Sequence, residues 1–393
     1  MQTPRNLFTR NFILAFLAQF AFTSVLQLLF PTLPIYLKKL GSTEIEIGVL
    51  VGVLGLASLI SRPLVGRALM KAREKTFMIV GAVFYTLSSL AYIWIPPFWP
   101  LLLVRIVQGV GFGFFHTAST TYVVNGSEVG HRARILGYFA LSMNIAGVIA
   151  PPLGIVLVNR FGFTHLFLVC TIVSSGMLFG SGLLGPVRKP LPAGDAHSDG
   201  FLLSRRALPP SIISLMSIFI WASLTTFFPL YATSRGVTNP GLFFTVMAIM
   251  LILSRTLGGR IMDVSNKKRV IYPSILICAV AMGLLALSRT QPLFLFVAAL
   301  WGTGHAFLIP SLMAFALERA GSSPSPVVAT FYAVSDIGLF LGPLIMGIVA
   351  RYTGYPTMFF CLSLIGISGL FYFWYFTRKD GKDLEDRRRI SEL

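Results

Sequence analysis

The chain has 393 residues, of which 55% are hydrophobic and only 12% are charged, and its formal net charge is +18. A soluble domain of this length would carry about twice that share of charged residues. The composition therefore excludes an ordinary soluble enzyme and predicts a polytopic membrane protein, with length for about a dozen spans of ~20 residues. Because no strand-like alternation of apolar and polar residues is present, we expect the spans to be helices, which satisfy their own backbone polar groups in lipid.

Apolar runs bounded by charge, Pro or Gly predict twelve helical spans in chain order. They cover residues 11–36, 46–68, 76–96, 99–124, 134–158, 163–185, 209–233, 240–262, 269–288, 291–317, 326–351 and 355–377. The first run is too long for the apolar region of a signal peptide and lacks a small-residue cleavage site, so we interpret it as a span.

A segment rich in Pro, Gly, Ser and charge separates the sixth span from the seventh and is typical of a linker. We therefore expect four parts: an N-terminal six-helix bundle, a cytoplasmic linker, a C-terminal six-helix bundle and a polar, mobile cytoplasmic tail. They cover residues 1–186, 187–208, 209–378 and 379–393.

Lys and Arg are distributed unevenly between alternate connections of the predicted spans. With the N-terminus inside, 23 of the 32 basic residues fall in inner segments, six in outer loops and three within spans. The positive-inside rule then places both termini and the linker in the cytoplasm. Basic loops at anionic lipid headgroups account for most of the net charge, so we expect membrane lipid rather than nucleic acid as the partner.

One stretch of the chain occurs twice. Residues 61–75 read SRPLVGRALMKAREK and residues 254–268 read SRTLGGRIMDVSNKK, with six of fifteen positions identical at an offset of 193. At the same offset, Gly109 and Gly111 correspond to Gly302 and Gly304. A long internal repeat defines the building unit of a fold, so we interpret the chain as one unit duplicated and fused.

The repeated stretch resembles the inner loop motif of the major facilitator superfamily, and the resemblance covers nearly the whole chain. The second copy has the family's Gly, Asp and basic residues, and the first copy has Met70 where the Asp belongs. The matching residues are Gly66 and Arg67 in the first copy and Gly259, Arg260 and Asp263 in the second.

Two further motifs resemble the drug and metabolite:proton antiporter branch of that family. Arg105, Gln108 and Gly109 in span 4 are similar to its Arg–Gln–Gly motif. Pro151 in span 5 and Pro343 in span 11 lie in degraded forms of its Gly-Pro motif. The resemblance implies an all-α fold of two pseudo-symmetric six-helix bundles, which rock between inward-open and outward-open states around a central cavity.

The family places spans 1, 4, 7 and 10 around that cavity, and polar or aromatic residues recur there at helical spacing. On span 7, Ser217, Trp221 and Thr225 recur every four residues. The candidate cavity residues are Gln19, Thr23, Gln27, Arg105, Gln108, Phe112, His116, Trp221, Thr225, Trp301 and His305. The alternative is that these residues make hydrogen bonds between helices. For Arg105 it is a structural cap on neighbouring carbonyl groups.

Proton coupling needs a titratable group inside the membrane, and the spans contain few. Asp336 is the acidic residue deep in a predicted span, and His305 and His116 are the histidines expected to titrate within the membrane. Intramembrane ionisable residues are usually functional. We rank Asp336 first as the proton carrier, His305 second and His116 third. The alternative for Asp336 is packing against small residues of the partner half, and for each histidine it is a hydrogen-bonded structural role.

The repeated loops and the Gly-Pro helices are the expected gates. The gating candidates are Gly66, Arg67, Gly259, Arg260, Asp263, Pro151 and Pro343. By pseudo-symmetry, the Asp263 carboxylate would meet the positive N-terminal end of span 5. Met70 cannot make the matching contact at span 11, so we expect a lopsided inner gate.

No nucleophile–base pattern, metal cluster or nucleotide-binding loop is present in the sequence, so we expect no enzyme activity, cofactor or metal. Cys170, Cys278 and Cys361 lie in apolar runs and are interpreted as packing residues. The main hypothesis is a monomeric transporter in the bacterial cytoplasmic (inner) membrane that exports a small amphipathic organic substrate in exchange for protons. The alternative is an uptake symporter for an anionic or sugar-like solute.

Overall fold

The structure, a computed structural model, describes residues 9–69, 71–95, 98–127, 132–187, 207–237, 239–264, 266–318 and 324–391. Within these ranges, the side chains of 132–134, 257–264, 324–326, 328–329 and 379–391 are not described. The described residues form twelve helices and no strand. In chain order the helices are α1 (Arg10–Lys39), α2 (Glu44–Leu69), α3 (Glu74–Ala91), α4 (Trp99–Asn125), α5 (Arg132–Phe161), α6 (Phe163–Gly182), α7 (Leu208–Ser234), α8 (Gly241–Val264), α9 (Lys267–Leu287), α10 (Gln291–Glu318), α11 (Pro324–Thr353) and α12 (Tyr355–Ser391).

The all-α polytopic fold predicted from composition is confirmed. Among the described residues, ten helices are long and apolar enough to cross a membrane. The other two are α3, which has 18 residues, and α8, whose described apolar part is Gly241–Thr256. Tight turns join several consecutive helices, and Gly162 before α6 and Gly354 before α12 adopt φ values of 84° and 85°. Glycine suits these two turns because it reaches positive φ without a Cβ clash.

Two helices end at other residues than the predicted spans. The third span was expected to reach residue 96, but α3 ends at Ala91, shortly before Pro96 and Pro97 in the sequence. A proline disfavours helical backbone at the residue that precedes it. The tail expected at 379–393 continues α12 as helix to Ser391. Its acidic and basic residues alternate at a spacing of four, as in Asp383 and Arg387, which favours helix.

The helices group into two compact units. Unit 1 contains α1–α6 together with Thr225–Thr245 and Pro343–Ile348. Unit 2 contains residues 208–224 of α7, Val246–Gly342, and the chain from Val349 to the end of α12. In unit 1, α4 packs against α2 and α3, and α1 packs against α5 and α6; in unit 2, α9 packs against α10 and α12. The four-part division expected from the sequence stays a prediction.

The internal repeat is visible in the packing of each unit. A Cβ on Gly109 would lie 2.6 Å from the Leu54 carbonyl oxygen, and a Cβ on Gly302 would lie 2.6 Å from that of Met247. Leu54 and Met247 are themselves 193 positions apart. The same offset relates the neighbours of Gly111 and Gly304, which are Gly81, Phe84 and Tyr85 in unit 1 and Ser274, Ile277 and Cys278 in unit 2. The repeat therefore conserves the close contacts of two helices as well as their sequence.

Candidate functional site

Arg105 on α4 lies at the centre of a buried hydrogen-bonded network in unit 1. Its side chain is 2% exposed. Nε donates to the Leu50 carbonyl oxygen at 2.8 Å and Nη2 donates to that of Val51 at 3.1 Å, both on α2. Nη1 donates to Gln108 Oε1 at 2.8 Å and lies 3.5 Å from the Tyr92 hydroxyl oxygen. The guanidinium therefore ties α4 to α2 and to the end of α3.

Gln108 and Tyr92 complete this network. The Tyr92 hydroxyl donates to Gln108 Oε1 at 2.6 Å, and both side chains are fully buried. Among the described residues, Gln108 Nε2 and the nearby buried Tyr85 hydroxyl have no hydrogen-bond partner. Tyr92 and Tyr85 were not singled out from the sequence, because nothing in α3 indicates which helix their hydroxyl groups would meet. In the second half, the position 193 residues after Arg105 is Ala298, so the sequence does not repeat this arginine.

The polar face predicted on α1 makes contacts with two other helices of unit 1. Gln19 Nε2 donates to Thr23 Oγ1 at 3.3 Å, and Gln19 Oε1 accepts from the Ser119 hydroxyl of α4 at 2.8 Å. Gln27 is half-buried, and its Nε2 would lie 3.3 Å from a Cβ placed on Gly147 of α5. These side chains share a helix face, and Gln19 in addition bridges α1 to α4.

The second part of α4 brings an aromatic and a histidine side chain together. The rings of Phe112 and His116 are stacked, with centroids 5.7 Å apart and an interplanar angle of 4°. The guanidinium carbon of Arg62 lies 5.4 Å from the Phe112 ring centroid, within cation–π range. Arg62 Nε also donates to Ser58 Oγ at 3.1 Å. A cationic, an aromatic and a titratable group therefore lie close together in unit 1.

Unit 2 contains a related arrangement on α10. The rings of Trp301 and His305 are stacked with centroids 5.5 Å apart at 15°, and Ser217 Oγ of α7 lies 3.5 Å from His305 Nδ1. Arg255 of α8 donates from Nε to the carbonyl oxygen of Ala306 at 3.4 Å. The imidazole of His305 is thus held between an indole and a hydroxyl group.

The other two α7 candidates differ in exposure. Trp221 is half-buried in unit 2, whereas Thr225 belongs to unit 1 and is 3% exposed.

Asp336 lies on α11 in unit 2 and is 8% exposed. It is twelve residues from the start of α11, about 18 Å along the helix axis. The neighbouring Ser335 hydroxyl lies 2.6 Å from that of Ser214 on α7. A Cβ on Gly338 would lie 3.0 Å from the Phe219 backbone nitrogen, so α7 and α11 approach closely at Gly338.

The gating candidates are only partly described. Gly66 and Arg67 are exposed near the end of α2, and Pro151 and Pro343 are buried inside α5 and α11. Met70 and the side chains of Gly259, Arg260 and Asp263 lie outside the described residues. The lopsided inner gate therefore stays a prediction.

A pocket in unit 2 was missed by sequence reasoning. It lies between α7, α9, α10 and α12, and its lining includes Ser217, Cys278, Trp301 and Leu308. The aligned halves contain a signal that could have indicated it: at the positions of Cys278 and Leu308, the first half has the larger Tyr85 and Phe115. No group of side chains suited to hold a metal ion occurs in the described part of the chain.

The sequence model of the Major Facilitator Superfamily matches residues 12–335. The chain belongs to this superfamily.

An uncharacterized MFS-type transporter of Burkholderia pseudomallei (strain 1106a) is 25% identical over 380 residues, covering 94% of this chain and 93% of the relative. The staphylopine export protein of Staphylococcus aureus (strain Mu50 / ATCC 700699) is 22% identical over 377 residues, covering 91% of this chain and 93% of the relative. The crystal structure of a D-xylose-proton symporter has a TM-score of 0.75 at 14% identity, covering 93% of this chain and 97% of that one.

The protein is therefore a multi-pass membrane transporter and not an enzyme. It carries out secondary transport of a small-molecule substrate by alternating access, as members of this superfamily do.

Proposed function

We propose that this transporter exports small amphipathic organic molecules in exchange for protons, across a bacterial cytoplasmic membrane with both of its termini in the cytoplasm. The direction is supported by the staphylopine export protein, whose similarity extends over 91% of the chain. The bacterial location is supported by the bacterial relatives. The inside position of the termini is supported by the distribution of Lys and Arg.

The substrate class is suggested by the side chains on α1, α4 and α10. Apolar and aromatic walls with a few polar groups suit a ligand that is partly apolar. In unit 1 the proposed contacts are Gln19, Thr23, Gln27, Phe112 and His116, and in unit 2 they are Trp221, Trp301 and His305. Thr225, which is buried in unit 1, is a further candidate. We assign Arg105 and Gln108 to the packing of α4, because their described polar contacts are to α2, α3 and each other.

The observation that carries proton coupling is the position of Asp336. Among the described acidic side chains, Glu44 and Glu74 begin helices, Glu46 follows in the first turn of α2, and Glu318 ends α10. Asp336 alone of these lies in the middle of a span, 8% exposed. An acidic group at such a position is a candidate to bind and release the driving proton. His305 and His116 are the second and third candidates.

The alternative is proton-coupled uptake. The D-xylose-proton symporter has the same fold, and a fold shared at 14% identity does not select a direction. The two directions are distinguished by membrane vesicles of opposite orientation, prepared from cells that produce the protein.

The experiment uses a panel of fluorescent amphipathic cations, zwitterions and anions with an imposed pH gradient. We expect at least one class to accumulate in inside-out vesicles whose lumen is acidic, and to be lost when the gradient is collapsed. Accumulation only in right-side-out vesicles with an acidic exterior would establish uptake instead. Vesicles that contain the Asp336→Asn variant serve as the matched control for coupling.

A further inference from the structure

Two cationic side chains of unit 1 lie well inside its helices, and they differ in their surroundings. Among the described charged side chains of that unit, only Arg62 and Arg105 lie more than five residues from a helix end. Arg105 is 2% exposed and donates to two carbonyl oxygens of α2, so its charge serves helix packing. Arg62 is half-buried, so part of its side chain stays accessible at the surface of the bundle.

The Arg62 side chain points away from lipid and away from the nearer end of its helix. Ile60 and Leu64 are each 60% exposed, and Arg62 lies about 200° around α2 from either of them. The bond from Arg62 Nε to Ser58 Oγ extends one turn back toward the start of α2, whereas the nearer end, Leu69, lies about 10 Å in the other direction. A cation that serves the headgroups extends toward the nearer membrane surface, which Arg62 does not do.

The Arg62 guanidinium and the His116 imidazole lie around one aromatic ring. The guanidinium carbon is 5.4 Å from the Phe112 ring centroid, and the His116 ring is stacked on Phe112 with centroids 5.7 Å apart. Phe22 of α1 adjoins both rings, at 5.3 Å from Phe112 and 6.3 Å from His116. Because a neutral imidazole has one N–H group, a cation and a hydrogen-bond donor lie beside an apolar wall.

We propose that Arg62 binds the anionic group of the substrate, and that the substrate is an amphipathic carboxylate. The planar guanidinium suits this role, because its terminal nitrogens can hold both oxygens of a carboxylate through two parallel hydrogen bonds. His116 donates a further bond from the ring beside it, and the apolar part of the substrate lies against the aromatic side chains of α4. This inference rests on the proposed place of Phe112 and His116 in the substrate site, and not on the direction of transport or on proton coupling.

The internal repeat supplies a matched control. Arg255 of α8 occupies the position 193 residues after Arg62 and is also half-buried. Its Nε donates to the Ala306 carbonyl oxygen of α10 at 3.4 Å, so we assign it to a contact between these two helices. Arg255→Gln therefore removes an intramembrane positive charge without removing the proposed anion site.

The test measures binding of probe pairs that differ in charge and little else. Purified protein in phosphatidylcholine nanodiscs is titrated calorimetrically with a series of aromatic carboxylates and their amides, beginning with naphthaleneacetate and naphthaleneacetamide. We expect the wild type to bind at least one carboxylate more tightly than its amide. Arg62→Gln should weaken binding of that carboxylate about 10- to 100-fold, as the loss of charged hydrogen bonds predicts, and change binding of the amide less than about threefold.

Two further variants separate charge from geometry. Arg62→Lys keeps the charge without the planar fork, so it should lose less carboxylate affinity than Arg62→Gln. Arg255→Gln should leave the carboxylate preference unchanged. Equal losses in Arg62→Gln and Arg255→Gln, or equal losses for the carboxylate and its amide in Arg62→Gln, would overturn the proposal.

The wild-type titrations test the proposal even where a variant fails to fold. A wild type that binds no carboxylate of the series more tightly than its amide would overturn it. The same titration in nanodiscs of phosphatidylglycerol tests a lipid phosphate as the anion. We expect the carboxylate preference to persist there, and its loss would assign Arg62 to a lipid headgroup and overturn the proposal. Because no gradient is imposed, failure of proton-coupled export in vesicles would leave this result unaffected.

Discussion

Arg105 Nε donates to the carbonyl oxygen of Leu50 over 2.8 Å, so a cationic side chain of α4 is bonded to the backbone of α2. The other guanidinium nitrogens bond to the Val51 carbonyl oxygen and to Gln108. Because these contacts use a planar group with several donors, a lysine at this position could not make them together. We therefore propose that Arg105 holds α4 against α2 and does not contact substrate directly.

The first prediction is that Arg105→Lys destabilises the protein without changing its ligand selectivity. A hydrogen bond to a charged group contributes about 1.5–3 kcal/mol, so the loss of at least one should lower stability by about 2 kcal/mol. Thermal unfolding in detergent measures the stability, and ligand-induced stabilisation measures binding. The half-buried Arg62 is the control, and Arg62→Lys should have the smaller effect on stability. An Arg105→Lys variant of normal stability that no longer binds ligand would place the guanidinium in the binding site.

The second prediction concerns Asp336, which is 8% exposed in the middle of α11. Asp336→Asn retains the size of the side chain and removes the ability to carry a proton. We expect it to abolish accumulation of substrate against a gradient, while ligand binding and downhill exchange remain. Glu318→Gln, at the exposed end of α10, is the matched control and should transport normally. If Asp336→Asn still concentrates substrate and His305→Gln or His116→Gln does not, the carrier is a histidine.

The third prediction tests the packing that the repeat conserves. A Cβ on Gly109 or on Gly302 would lie 2.6 Å from a backbone oxygen of the neighbouring helix. We expect Gly109→Ala and Gly302→Ala each to lower stability by about 1–3 kcal/mol, the usual cost of overpacking. Gly176→Ala is the control, because a Cβ there meets nothing within 4 Å and alanine is the better helix former. Equal unfolding temperatures for all three variants would contradict this account of the packing.

The fourth prediction concerns orientation. Single cysteines introduced at Thr43, between α1 and α2, and at Ser198, in the predicted linker, should react with a membrane-impermeant reagent from opposite sides. We expect labelling of Thr43→Cys in intact spheroplasts and of Ser198→Cys only in inside-out vesicles. Labelling of Ser198→Cys from outside would contradict the assignment based on the positive-inside rule.

Helix number, order and most boundaries could be predicted from the sequence, because the hydropathy of a span is a local property of the chain. The repeat offset also paired Gly109 with Gly302, and the structure places both of them at close helix contacts. The length of α12 was not predicted, since the charged tail was interpreted as mobile although its charge spacing favours helix.

The details of the candidate site could be predicted only in part. The shared face of Gln19 and Thr23 follows from their spacing of four, and the hydrogen bond between them agrees with it. The carbonyl partners of Arg105 could not be predicted. Leu50 and Val51 are on another helix, and because every residue has a carbonyl group, the sequence does not indicate which ones Arg105 will bond to. Neither could the surroundings of Trp301 Nε1, which has no hydrogen-bond partner among the residues that the structure describes.

Export coupled to an opposing proton movement is tested most directly by substrate-induced proton flux in proteoliposomes that contain a pH-sensitive dye. The purified protein is reconstituted without any gradient, and a substrate identified with the fluorescent panel is added outside. Exchange predicts that the interior becomes more alkaline as substrate enters and protons leave, and that Asp336→Asn abolishes the signal. Acidification of the interior would show that substrate and proton move together, and would contradict the proposed function.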